Sequence, residues 1–106
     1  MDVSMSDNDA ENIKLRMREA EEQYKETEKA FEYLIDLYND SIQRNKNTLE
    51  RQSLSHDEYE ELKEIDSEAR KNLNDLFEQR DQNRYEYKKR MDIYAEELKR
   101  FEKEHI

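Results

Sequence analysis

Histidine is the side chain most often used to hold a metal or move a proton near neutral pH, and this 106-residue chain has two, His56 and His105. His105 follows Glu102 at the Glu-x-x-His spacing with which helical bundles ligate paired iron or manganese ions. Such a centre needs two copies of that motif and two further glutamates facing a bundle interior. The chain offers one copy, and no glutamate falls on its apolar seams. His56 sits in Ser55-His56-Asp57-Glu58, a helix-start sequence. Neither a metal nor a cofactor is expected.

The 29 acidic residues invite a hydrolase reading with paired carboxylates. That chemistry requires a concave, partly dry pocket that drives the two pKa values apart, and helices alone in a narrow pair do not enclose one. With no Gly there is no loop to cradle phosphate or hold a serine on a strained elbow. With no Cys there is no thiolate nucleophile, thiolate metal site or disulfide. The expectation is a protein that is not an enzyme.

The elements that carry these residues follow from composition and spacing. Charged residues make up 45% and apolar ones 33%, and Gly, Pro, Cys and Trp are absent. Without Gly or Pro a chain has few places to reverse. Charge this high can also mean disorder, but the apolar residues here are periodic and include seven Tyr and three Phe. Ala10, Ile13, Met17, Ala20, Tyr24, Thr27, Phe31, Leu34 and Tyr38 step alternately by three and four, an unbroken heptad seam. The seam then slips to Ile42 and continues through Asn45 to Leu49. Ser6 and Asp9 form a weak relative of a capping box at the start.

Ser55 and Glu58 form a full capping box, and Leu54 and Tyr59 occupy the positions of a hydrophobic staple. Asp57, Glu58, Glu60 and Glu61 put negative charge where the helix dipole favours it. From there Leu62, Ile65, Ala69, Leu73, Leu76, Arg80, Asn83, Tyr87, Met91, Tyr94, Leu98, Phe101 and His105 mark a second seam. The expected fold is all-α: two long helices in an antiparallel coiled-coil hairpin forming one domain, able to dimerise into a four-helix bundle. Helix 1 should span about 7–51, the turn about 52–55 and helix 2 about 56–105. A turn centred near Ser53 and Leu54 would set Ala20 opposite Tyr87, Met17 opposite Met91, and Tyr24 and Thr27 opposite Asn83 and Arg80.

The apolar stripe is wider than an isolated helix pair needs, which suits a third or fourth helix. The candidate partner-binding residues are Phe31, Ile35, Leu37, Leu73 and Phe77. The expected function is that of a non-enzymatic protein-interaction module, an adaptor, scaffold, assembly factor or chaperone that docks a partner helix. The alternative is an acidic mimic of nucleic acid that blocks a basic nucleic-acid-binding protein, favoured by a net charge of −10 and weakened by 19 interspersed Lys and Arg. The same negative charge opposes direct binding to nucleic acid. No run approaches the ~20 apolar residues of a membrane span. No membrane insertion and a cytoplasmic setting are therefore expected.

Overall fold

Two helices carry almost the whole chain: α1, Asp2–Leu49, and α2, His56–Glu104. The computed structural model describes the backbone of residues 2–51 and 53–104, and the side chains of residues 9–51 and 53–104. No strand occurs among the described residues. Long helices are what a chain without helix breakers and rich in Glu, Lys, Arg and Leu should form. α1 extends ahead of its expected start; the side chain of Ser6, read as a cap, lies outside the described residues, as do Gln52 and His105.

The two helix ends at the connection are satisfied in different ways. At the end of α1, the Glu50 N–H donates to the Lys46 carbonyl at 3.2 Å and the Arg51 N–H to the Thr48 carbonyl at 3.1 Å. The second bond tightens the last turn and occupies a carbonyl that would otherwise lack a helical partner. No residue among those described has positive φ, so the helix ends without the left-handed residue that glycine usually supplies. At the start of α2 the Ser55 hydroxyl accepts from the Glu58 N–H at 3.2 Å. The same hydroxyl donates to the Glu58 carboxylate at 3.0 Å. The cap forms, but the glutamate closes on the serine side chain where the capping box would have it close on the serine backbone N–H.

The chain divides into two compact units. The first joins Met1–Glu28 with Gln82–Ile106 and the second is Lys29–Asp81, so each takes a segment of both helices. In the first unit the Tyr24 and Tyr87 rings stack, with centroids 4.0 Å apart and planes 10° apart. Arg84 pairs with Glu28 one turn further along. Numbers rise on one helix as they fall on the other, so the two segments are antiparallel. The buried and half-buried positions there are 10, 13, 17, 20, 24, 27 and 28 on α1 and 83, 87, 91, 94, 97, 98 and 101 on α2. The Tyr24–Tyr87 stack sets Ala20 level with Met91 and Met17 level with Tyr94. The register is therefore displaced by about one turn from the expected pairing of Ala20 with Tyr87.

The reason lies at the connection. His56 to Glu61 are all exposed, so α2 runs a turn and a half before its first inward residue, Leu62. A cap marks where a helix starts, not where it meets its neighbour. In the second unit, inward positions counted from the connection are 49, 45, 42, 38, 35 and 31 on α1, and 62, 66, 69, 73, 76 and 80 on α2. Going away from the connection, both series run in the same steps of four and three.

Two expected seam residues are displaced by this phase. Leu34 is 40% exposed and its neighbour Ile35 is 7% exposed; Ile65 is 53% exposed and its neighbour Asp66 is 8% exposed. Asp66 accepts from Arg70 Nε at 2.8 Å through one carboxylate oxygen. Its other oxygen has no partner, and neither has the Asn45 side-chain nitrogen. Asn45 and Asp66 occupy the same step from the connection, so a polar layer interrupts the apolar series there.

Two outcomes follow for chemical unfolding at low micromolar concentration. Ile35→Asp places a charge at a buried position and should cost several kcal/mol, whereas Leu34→Asp should cost about 1 kcal/mol or less. Ser55→Ala should cost about 1 kcal/mol through loss of the cap. Equal losses at residues 34 and 35 would contradict the assigned phase.

Candidate protein-interaction surface

The five residues expected to bind a partner have unlike surroundings. Ile35 is buried, Phe31, Leu73 and Phe77 are half-buried, and Leu37 is exposed. The Arg80 guanidinium lies 5.0 Å from the Phe77 ring centroid, covering part of that ring. Phe31, Ile35 and Leu73 belong to the inward series of the second unit. Leu37 keeps a different company: Tyr33, 65% exposed, and Leu34 lie beside it on α1, and Ala30 is exposed one turn earlier. Tyr33 was not singled out from the sequence, and Leu34 was assigned to the seam.

Ala30, Leu34, Leu37 and Ser41 step by four, three and four, which places them in one line along α1. That line lies roughly 100° round the helix from the inward series at 31, 35, 38 and 42. The second unit thus has an inward apolar stripe on α1 and, beside it, the exposed Ala30, Leu34 and Leu37, with Ser41 half-buried at the end of the line. Tyr59 and Ile65 are the exposed large apolar residues of α2 among the described residues of this unit.

In the first unit, Tyr85 and Ile93 are exposed on α2 and share a shallow groove with Lys88, Lys89, Asp92, Glu96 and Lys99. Ala95 also lines this surface, which is mixed in charge. A charged contact between the helices is also in this unit. Arg84 Nε donates to Glu28 Oε1 at 3.1 Å and Arg84 Nη2 to Oε2 at 2.9 Å, a two-pronged pairing that fixes both side chains.

His56 is exposed at the first position of α2. Among the described residues no group of three or more His, Asp or Glu is placed to hold a metal ion. Among the same residues no helix is long and apolar enough to cross a membrane. No protein-family model, curated protein or solved structure matches the chain.

The Glu28–Arg84 pair is partly screened by solvent, so a double-mutant cycle with Glu28→Gln and Arg84→Gln should return a coupling of about 0.5–1 kcal/mol at low salt. The coupling should shrink as salt is raised. A cycle energy of zero at low salt would show that the pairing adds nothing to the first unit.

Proposed function

We propose that the chain is a non-catalytic coiled-coil hairpin that presents an apolar stripe of α1 to a partner helix. The observation that carries this reading is the line of Ala30, Leu34 and Leu37 with Tyr33 beside it, exposed next to an already covered stripe. Scattered exposed leucines on a soluble surface need no explanation, but apolar residues repeated at helical spacing are the anchors of helix-in-groove recognition. Two leucines and a tyrosine at that spacing can supply affinity by excluding water, and the acids around them limit wrong partners.

The heptad spacing of both inward series supports the coiled-coil part of the reading. Adaptor, scaffold, assembly-factor and chaperone roles all use this mode of docking. The mimicry reading rests instead on the net charge of −10. Its weakness is the even mixing of bases among the acids, particularly along residues 84–103, where a substitute for phosphate should present one sign.

Selection of amphipathic helices against the full chain separates the two. The expected binders carry apolar anchors three and four residues apart, lose at least tenfold in affinity to the Leu37→Glu variant, and respond weakly to added salt. Binders that ignore Leu37→Glu and weaken steeply with salt would overturn the docking reading in favour of charge mimicry.

A further inference from the structure

We infer that the hairpin has a second register one helical turn away, and that a slide of α2 along α1 exchanges which residues face inward. The exchange concerns two pairs of neighbours in the second unit. Ile35 is buried and Leu34 beside it is exposed; Asp66 is buried and Ile65 beside it is exposed. The present register thus covers a carboxylate and leaves an isoleucine 53% exposed one residue away. One Asp66 oxygen and the Asn45 side-chain nitrogen are buried without partners, a cost that water removes once the groups are exposed.

A displacement of about 5.4 Å, one turn, brings a different set of residues level. Ile42, Tyr38 and Leu34 then stand opposite Ile65, Ala69 and Leu73. On each helix these three make two steps of four in succession, so the middle residue points straight at the neighbouring helix. The two middle residues are Tyr38 and Ala69, level with each other, a large side chain against a small one. Six apolar residues match in this way, and Asp66 turns to solvent with Arg70 still four residues along. The connection allows the move. Residues 50–55 reach about 20 Å when extended, and the slide draws the exposed first turn and a half of α2 back toward the level of Leu49.

Contacts in the first unit hold the present register. α1 and α2 each run unbroken through both units, and backbone hydrogen bonds fix the rise of a helix. The Tyr24–Tyr87 stack and the Glu28–Arg84 pair therefore resist a slide that would part them. The slide also takes Leu34 out of the exposed line at 30–37, so a helix docked there favours the present register. That consequence rests on the docking reading above; the slide does not.

Pulsed electron double resonance on the full chain tests this, with spin labels at Glu32→Cys and Glu60→Cys. Both positions are exposed and the chain has no cysteine of its own. The slide shortens the separation of the labels by about 5 Å. The parent should show mainly the longer distance. Arg84→Gln should raise the fraction at the shorter distance at least twofold, and Arg84→Gln with Tyr87→Leu at least fivefold, with helical circular dichroism kept. Adding Ile65→Asp to the double variant should restore the longer distance, because residue 65 faces inward only after the slide. Should the double variant unfold, Arg84→Gln with and without Ile65→Asp carries the same test, since the Arg84 side chain is exposed. The longer distance alone in every folded variant, or a shorter one that Ile65→Asp leaves in place, would overturn the inference. A chain with one distance that still binds a selected helix through Leu37 loses the slide and keeps the docking reading. One with both distances that binds no helix through Leu37 keeps the slide and loses the docking reading.

Discussion

Tyr24 and Tyr87 meet face to face because the spacing of inward residues changes where they stand. A step of three residues falls about 60° short of a full helical turn and a step of four overshoots it by about 40°. Alternation of the two keeps a stripe straight, with residues leaning to either side of it. Positions 83, 87 and 91 on α2 make two steps of four in succession, and so do 20, 24 and 28 on α1, where Thr27 is half-buried beside Glu28. The middle residue of such a run points directly at the neighbouring helix. Both middle residues are tyrosines, and their rings accommodate each other by stacking at 4.0 Å, an arrangement worth about 0.5–1.5 kcal/mol beyond the area it covers. The pairing of every other layer in the first unit is counted from this contact.

The all-helical character, the absence of strands and the start of α2 were legible in the sequence, because each depends on local chemistry. Helix formers without breakers make helices, and Ser55 with Glu58 announces an N-terminus whatever it later packs against. Phase was harder to read. Sequence reasoning chose Leu34 over Ile35 and Ile65 over Asp66. In the first choice the two residues are almost equally apolar; in the second the more apolar one is the exposed one. Each helix read alone also permits several places for its slip, after Tyr38 on α1 and near Ala69 on α2 among them. The slip at Tyr87 is already in the spacing of Asn83, Tyr87 and Met91, whereas the one at Tyr24 shows only in the structure, where Glu28 joins Thr27 among the half-buried residues.

The covered stripe is thin. Among the described residues the buried apolar side chains are Ala20, Ile35 and Ala69, and the buried polar one is Asp66. Two helices side by side cannot enclose more, since each residue of a narrow stripe remains open at its flanks. The polar layer of Asn45 and Asp66 costs stability relative to an apolar one, and its recognised use in helix pairs is to disfavour other registers. The same geometry explains why the partner-binding residues proposed from the sequence were mixed in fate. Position on a helix, not hydrophobicity, decides which of two neighbouring apolar residues is covered by the fold and which stays exposed. Ile35 is covered; Leu37 is exposed.

The two tyrosines define the register of the first unit, and proton NMR of the full chain with isotope-labelled tyrosine puts that to the test. Strong ring-to-ring nuclear Overhauser effects between Tyr24 and Tyr87 are expected, accompanied by contacts of Met17 with Tyr94. A folded helical protein in which the Tyr87 ring reports on Ala20 and never on Tyr24, with Met17 contacting Met91, would place the helices one turn away and contradict it.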